Sequence, residues 1–449
     1  MTLVTLAGVL LVMTGVAWAV ARLWRIAAIG AAYKAKILCT AVFGAGRDID
    51  PRHAPEVSSD SYRLLRLFGA HIDRDRRSVT VSFAGMRPRL AVHREGLGST
   101  LVRGTDRAPV GKSPASGVVA HSRPWALGVT PSRLGHAVDL AFTEPNPRRL
   151  RRTRAVVVVQ HGHLIAERYA PGFDRDSRFS GWSMTKSVMS ALMGILESDG
   201  LTSLDAKALW PEWRAPDARA GITIEDLLRM RSGLRFSEVY SDFSSDVMEM
   251  LFNAPDVVSY AVSRPLAAAP GTVWAYASGT TNILSGIMRR AVGEEHYLTW
   301  PRRRLFDPLG MDSAVMELDA AGNFVPSSFM VATARDWARV GQLFLQDGVW
   351  EGRQILPAGW VRFCVTPTPQ SPAANYGAHW WLQLQPEIGG GTPESARIPR
   401  DAFFAVGHEG QTLTVIPSRG LVVVRMGLSI YVDAWNQAQF IAGVVDAVS

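Results

Sequence analysis

The chain has 449 residues, 47% of them hydrophobic and 20% charged, and this composition excludes a disordered tail protein, a collagen-like fibre and a small disulfide scaffold. Two cysteines are too few for a disulfide framework or a cysteine-built metal site. The net charge of +8 comes without any nucleic-acid-binding motif, so we expect an arginine-biased solvated surface and no nucleic-acid partner. The sequence has no His-Glu-x-x-His motif and no glycine-rich phosphate loop, so we also expect no metal and no cofactor.

The first segment of the chain has the composition of a membrane helix. No charged side chain occurs from Thr2 to Ala21, and about 20 helical residues span roughly 30 Å, the thickness of a hydrocarbon core. A secretory signal peptide is the alternative, because Ala17-Trp18-Ala19 has the pattern of a cleavage site, but no Lys or Arg precedes the segment. We therefore predict a single-pass membrane helix or signal anchor over residues 1–22. The positive-inside rule would keep the rest of the chain in the cytoplasm, yet the sequence leaves the side of the membrane open.

Residues 23–125 form a predicted extension and linker. Residues 23–45 are a weaker apolar stretch interrupted by cations, which predicts an interfacial or packed amphipathic helix and not a second span. Short β-like runs between Arg77 and Arg103 predict a small β-rich unit, and residues 109–124 have the composition of a loop. The basic run over residues 148–154 is expected to be an exposed loop, with a contact to acidic lipid headgroups as the alternative.

Residues 126–449 have the pattern of an α+β domain. Ala155–Gln160 and His163–Tyr169, separated by a two-residue turn, predict a β-hairpin. Apolar residues recur on one face from Ser183 to Asp199, and Gly200 follows as a C-terminal cap, so this stretch predicts an amphipathic helix. Both ends of the domain would then build one antiparallel sheet flanked by helices. The later predicted elements are strands at residues 403–406, 412–416 and 421–426 and a closing helix at 432–448.

The tetrad Ser183-Met-Thr-Lys186 is the first candidate for chemistry. Residues three positions apart share one face of a helix, so the amine of Lys186 can reach the oxygen of Ser183. The helix N-terminus also offers N–H groups for a developing anion. A lysine with a pKa near 10.4 is neutral in only about one molecule in 2,500 at pH 7, so Lys186 needs a lowered pKa to act as a base.

Two loop segments carry further polar groups. One runs from Trp274 to Gly279 ahead of a predicted helix, and it places Tyr276 and Ser278 on a loop, where a phenol can relay protons. The other, Gly407-His-Glu-Gly-Gln411, joins two predicted strands. Glycine permits close backbone approach there, and a following N–H can point at a substrate.

These three segments resemble, in order, the signatures of the penicillin-recognising serine hydrolases, which are Ser-x-x-Lys, Tyr-x-Asn and Lys-Thr-Gly or His-x-Gly. The first signature matches fully, the second has Ser278 in place of asparagine, and the third reads His408-Glu-Gly410. Within this superfamily the variants look most like 6-aminohexanoate-dimer hydrolase and carboxylesterases. The resemblance implies a β-lactamase/transpeptidase-like antiparallel sheet flanked by helices, with a helical subdomain.

The resemblance also implies catalytic roles. Ser183 would be the acylated nucleophile, Lys186 its general base and Tyr276 the proton relay to the leaving group. The oxyanion hole would use the backbone N–H groups of Ser183 and Gln411, next to the close approach that Gly410 allows.

Three more residues are candidates for substrate contact. Ser278 and His408 would orient the substrate, and Tyr240, in the loop over residues 237–242, is a candidate for the pocket wall, with an ordinary core or surface tyrosine as the alternative. The predicted function is hydrolysis of a small-molecule amide or ester by a membrane-attached serine hydrolase. The alternative is a non-catalytic or slowly turning-over penicillin-binding-type sensor, and the sequence carries no prediction of oligomeric state.

Overall fold

The computed structural model describes residues 3–102 and 124–448. Its first helix, α1, runs from Leu3 to Cys39 and continues as a π-helical turn to Gly44. Every side chain from Leu10 to Leu23 is exposed, whereas every residue from Ala28 to Lys36 is buried. One helix therefore has an exposed apolar half and a half packed inside the protein. The domain boundary between residues 22 and 23 stays a prediction, and the helix runs through it.

Two buried lysines hold the second half of α1 in place. The Nζ of Lys34 donates to the carbonyl oxygens of Leu65 and Phe68, both at 2.9 Å. The Nζ of Lys36 forms an ion pair of 2.6 Å with Glu317, and each of these two side chains is 2% exposed. Of the two arrangements expected from the sequence for this stretch, the structure has the packed one, because these cations find partners inside the protein.

A small antiparallel sheet follows α1 and packs against it. Its strands lie in chain order, so it is a meander. This unit corresponds to the β-rich unit expected from the sequence, and most of the predicted loop at residues 109–124 lies outside the described residues. The elements of the extension are α2 (Pro55–Ser58), a 3-10 helix (Asp60–Leu67), β1 (Phe68–Asp73), β2 (Ser78–Phe83), β3 (Met86–Arg94) and β4 (Gly98–Val102).

The main domain is built on a six-stranded sheet. The strands of this domain are β5 (Ala126–Leu127), β6 (Ala155–Gln160), β7 (His163–Tyr169), β8 (Arg178–Ser180), β9 (Val315–Met316), β10 (Met330–Thr333), β11 (Val349–Trp350), β12 (Arg353–Gln354), β13 (Phe403–Gly407), β14 (Gln411–Ile416) and β15 (Leu421–Met426). The order in the large sheet is β13-β14-β15-β6-β7-β5, antiparallel throughout except for the parallel pair of β5 and β7. The two ends of the domain meet where β15 pairs with β6.

Helices pack on both faces of this sheet and also form a region beside it. They are α3 (Ser132–Ala141), α4 (Thr185–Ser198), α5 (Ile224–Leu228), α6 (Asp246–Phe252), α7 (Val257–Val262), α8 (Ser278–Val292), α9 (Glu294–Tyr297), α10 (Asp307–Leu309), α11 (Ala334–Leu345), α12 (Trp360–Val365) and α13 (Gln437–Ala447). Val156 and Val158 of β6 pack with α3 and α13, and Val157 and Val159 join the opposite cluster with α4 and α11. Alternate side chains of one strand therefore serve two cores.

The resulting architecture confirms the α+β class expected from the sequence. The helices from α5 to α10 form a helical region beside the sheet, between β8 and β10 in the chain. A third, three-stranded sheet in the order β8-β10-β9 lies next to them. Its strand β8 leads directly into the turn before α4, so the helical region and both sheets converge on the start of α4.

Candidate active site

Ser183 lies on a 3-10 turn, Trp182–Met184, between β8 and α4. The sequence placed it in the first turn of the helix, and the structure places it immediately before. Trp182 has φ of +48°, a left-handed conformation that is strained for a bulky residue and is found at functional sites. Its indole nitrogen donates to the carboxylate of Glu409 at 3.2 Å, which holds this conformation and fixes Ser183 at the N-terminus of α4.

Lys186 is buried one turn further along and makes three polar contacts. Its Nζ lies 3.0 Å from Ser183 Oγ, 3.1 Å from Ser278 Oγ and 2.8 Å from the carbonyl oxygen of Ser327. Burial lowers the pKa of Lys186 to about 8, and the carboxylate of Glu238 opposes this shift. A pKa of about 8 leaves roughly one molecule in ten with a neutral amine at pH 7.

Glu238 connects to this lysine through Ser278. Its carboxylate accepts hydrogen bonds from the Ser278 hydroxyl at 2.5 Å and from the Ser278 backbone N–H at 2.8 Å. Ser278 is the first residue of α8, so the acid also lies at the positive end of that helix. Burial raises the pKa of Glu238, and Lys186 counteracts that rise. Sequence reasoning missed Glu238, although it lies two positions from Tyr240.

Two tyrosines face the serine. The Nζ of Lys186 lies 4.9 Å from the ring centroid of Tyr276. Burial raises the pKa of Tyr276 well above its usual value, and an interaction with Ser183 opposes the rise. Burial likewise raises the pKa of Tyr240, which interacts with Ser328 and Ser183. The Tyr240 hydroxyl is buried, and no residue that the structure describes has the distance and angles of a hydrogen bond to it. Both phenols are therefore protonated at neutral pH.

His408 packs beside Tyr240 and Trp182. Its ring stacks on Tyr240 with centroids 4.6 Å apart and meets Trp182 edge-on at 5.1 Å. Burial lowers the pKa of His408 to about 4, so the imidazole is neutral at pH 7. Its Nε2 is 3.0 Å from the hydroxyl of Tyr62, which belongs to the 3-10 helix of the extension. Sequence reasoning missed Tyr62 because it lies far outside the three signatures.

The turn that carries His408 lies against the turn that carries Ser183. A Cβ on Gly407 would overlap the carbonyl oxygen of Gly181, so the two backbones touch. Gly410 has φ of +80°. The side chain of Gln411 donates to the carbonyl of Gly427 at 2.8 Å and accepts from its N–H at 2.9 Å. That side chain is held in the core, so Gln411 can serve the pocket only through its backbone.

The residues singled out from the sequence occupy one region of the fold. Lys186 contacts three of them, Ser183, Ser278 and Tyr276, and the others lie in the adjoining loop and turn: Tyr240, His408, Gly410 and Gln411. Within residues 3–102 and 124–448 no group of three or more His, Cys, Asp or Glu side chains is arranged to hold a metal ion.

Known proteins resemble this chain over most of its length. The Beta-lactamase family matches residues 141–427. The chain is 26% identical over 298 residues to 6-aminohexanoate-dimer hydrolase of Paenarthrobacter ureafaciens, which covers 61% of this chain and 72% of that protein. A Bacillus anthracis structure, provisionally named as the same hydrolase, has a TM-score of 0.56 at 21% identity, covering 73% of this chain and 86% of its own. EstCE1, described as a hydrolase with promiscuous acyltransferase activity, has a TM-score of 0.56 at 16% identity, covering 70% and 97%.

Proposed function

The chain belongs to the Beta-lactamase family and is a serine hydrolase, and from this premise we propose that it cleaves a small-molecule amide or ester through an acyl-enzyme on Ser183. The observation that carries the proposal is the 3.0 Å contact between Lys186 Nζ and Ser183 Oγ. A lysine buried to this degree, with its pKa lowered to about 8, is a base near neutral pH. A lysine on the surface, with an ordinary pKa, would be almost fully protonated there and could not act as the base.

Acylation follows from these positions. The neutral amine of Lys186 takes the hydroxyl proton of Ser183 while the oxygen attacks the carbonyl carbon of the substrate. The backbone N–H groups of Ser183 and Gln411 donate to the resulting oxyanion, and one such donor is typically worth about 10²- to 10³-fold in rate. The proton then passes through Tyr276 to the leaving amine or alcohol. Water then attacks the acyl-enzyme, its proton passes back along the same route to Ser183, and the acid is released.

The neighbouring groups position these reactants. The Ser278 hydroxyl donates to Glu238, so its oxygen accepts from Lys186 and directs Nζ towards Ser183. His408 is neutral at pH 7, and it supports the pocket by stacking on Tyr240 instead of exchanging protons. The unsatisfied Tyr240 hydroxyl is available to donate to the substrate.

We also propose that the exposed half of α1 anchors the enzyme in a membrane as a single pass. Helix α1 is long and apolar enough to cross a bilayer by length and composition. The apolar window that passes this test is mostly buried in the protein and would not face lipid, and the anchor that we propose is the exposed half that precedes it. Its exposed side chains, from Leu10 to Leu23, would be costly to leave in water.

The mechanism is tested by treating the full-length protein with a fluorophosphonate probe and with p-nitrophenyl acetate. Wild type should be labelled once and should turn over the ester, and Ser183→Ala should do neither. Ser203→Ala, at an exposed serine, is the matched control and should behave as wild type. Wild type that labels stably without turnover would identify a sensor instead of an enzyme. Wild type that does not label would remove the acylation mechanism.

A further inference from the structure

The exposed half of α1 enters the protein next to the active-site loop. Arg25, at the point of entry, donates from Nε to Glu249 of α6 at 3.1 Å. Arg22, one turn earlier, lies close enough to Asp242 to act on its carboxylate electrostatically. Asp242 closes the loop over residues 237–242, which carries Glu238 and Tyr240. The apolar helix and the active-site loop therefore share one side of the molecule.

Three exposed apolar side chains lie in the two segments that carry Tyr62 and Tyr240. Val239, 50% exposed, lies between Glu238 and Tyr240 in the loop. Leu64 and Leu67 are 74% and 66% exposed and follow Tyr62 on the 3-10 helix of the extension. That helix lies along α1, because the carbonyl of its Leu65 accepts from the buried Lys34.

These side chains come from two segments that are far apart in the chain. Each segment also carries a tyrosine that contacts His408: Tyr62 through a hydrogen bond and Tyr240 through ring stacking. Large apolar side chains grouped at one face mark an interaction site, whereas single ones scattered over a surface do not. We refer to Leu64, Leu67 and Val239 as the apolar rim.

We propose that the apolar rim rests on the bilayer into which α1 inserts, and that the substrate is an amphiphilic ester or amide whose acyl chain lies in that bilayer. The inference deepens the proposed hydrolase function and rests on it. The occupant of the rim is the lipid surface, because the apolar helix continues from the same side of the molecule and fixes its distance from a membrane. Arg22 and Arg25 then lie at headgroup level, where cations meet lipid phosphates.

The reaction at this interface is the hydrolysis already described. The bond between the acyl carbon and the leaving oxygen or nitrogen breaks, and a bond between that carbon and Ser183 Oγ forms. The leaving alcohol or amine takes the proton that came from Ser183, and water then releases the fatty acid. A rim in contact with lipid lets the acyl chain pass from the bilayer to the serine without crossing water.

The contact with lipid is testable without any catalysis. Cys39 and Cys364 are both fully buried, so a thiol-reactive fluorophore reacts with a single introduced cysteine. Full-length Leu64→Cys and Val239→Cys proteins are labelled and placed in phosphatidylcholine–phosphatidylglycerol vesicles containing brominated lipid. We expect quenching at both positions and none at Val129→Cys, an 88% exposed position before α3. If the labels at positions 64 and 239 are not quenched, the rim faces water or a protein partner, and the proposal is overturned.

The substrate class is tested with two esters. One is the water-soluble p-nitrophenyl acetate, and the other is a long-chain 4-methylumbelliferyl ester dissolved in the vesicles. The triple variant Leu64→Ser/Leu67→Ser/Val239→Ser should lose roughly tenfold or more of its rate on the vesicle ester and less than about twofold on the acetate, from the lost apolar contact of three side chains. Leu127→Ser/Val129→Ser, at exposed positions near β5, should lose neither.

Equal losses on the two esters, or none, would overturn the membrane-substrate proposal. The failure of the hydrolase mechanism looks different. If Ser183→Ala retains acetate hydrolysis, the nucleophile is wrong, whatever the labels report about the lipid contact.

Discussion

Tyr62 and His408 are 346 positions apart in the chain, and the phenol oxygen of one lies 3.0 Å from Nε2 of the other. The matched family region begins at residue 141, so Tyr62 belongs to a part of this chain that precedes it. The extension thus contacts the turn of the main domain that carries His408. His408 in turn stacks on Tyr240, which we propose donates to the substrate.

Tyr62→Phe should lower kcat/KM for p-nitrophenyl acetate by about 2- to 12-fold, because it removes one hydrogen bond of about 0.5–1.5 kcal/mol from the pocket wall. The ring and its packing remain, so the unfolding midpoint should change little. Tyr431→Phe, at a half-buried tyrosine that stacks with Arg149, is the matched control. A variant with wild-type kinetics would show that this hydrogen bond does not position the site.

Lys186→Ala should reduce kcat by about 10³-fold or more, because general-base catalysis typically contributes 10²- to 10⁴-fold and no other amine contacts Ser183 in the described structure. The steady-state rate on p-nitrophenyl acetate measures this loss. Lys207→Ala removes an exposed lysine instead and should retain wild-type activity. Comparable rates for wild type and Lys186→Ala would refute the assignment of the base.

The pH dependence of kcat/KM should report the ionisation of Lys186. The active form carries the neutral amine, and burial lowers its pKa to about 8. Activity should therefore rise about tenfold per pH unit below pH 7 and level off above pH 9. His408, whose pKa burial lowers to about 4, should add no ionisation near neutrality. A profile that is flat from pH 6 to 9 would contradict this assignment.

Glu238→Gln should shift that profile to lower pH. The carboxylate of Glu238 raises the pKa of Lys186, so removing its charge lowers the pKa further. The amide can still accept from the Ser278 backbone and share a hydrogen bond with its hydroxyl. Glu225→Gln, at a partly exposed glutamate paired with Arg229, is the control. A midpoint that moves upward would show that Glu238 acts on the lysine in some other way.

Local patterns predicted much of the fold and the centre of the site. The hairpin of β6 and β7 has the bounds expected from its alternating apolar run, and Ser-x-x-Lys predicted the contact of Ser183 with Lys186 from the rise of a helix. Such features depend on residues a few positions apart. Their geometry follows from the regular repeat of a helix or a strand, so it can be predicted without knowing any distant contact.

Contacts between distant segments could not be predicted from the sequence. Glu238 reaches Ser278 across 40 positions through an irregular loop, whose path no periodicity reports. Lys34 and Lys36 indicated that the apolar segment is interrupted, because burying a lysine without a partner is costly. The partner of Lys36 is Glu317, 281 positions later, and only the folded chain brings the two together.

The buried pair of Lys36 and Glu317 sets a limit on how far the protein can be shortened for expression. A version starting near residue 24 would lose the exposed apolar turns and keep every buried cation of α1. A version starting after residue 45 would leave the buried Glu317 carboxylate without its lysine and with the neutral Ser99 N–H still donating to it, and removing one member of a buried pair costs about 3–5 kcal/mol. That is a large part of the 5–15 kcal/mol that typically separates a folded domain from its unfolded chain. A shortened version that keeps this pair therefore begins inside α1 and not just before residue 141, where the family region starts.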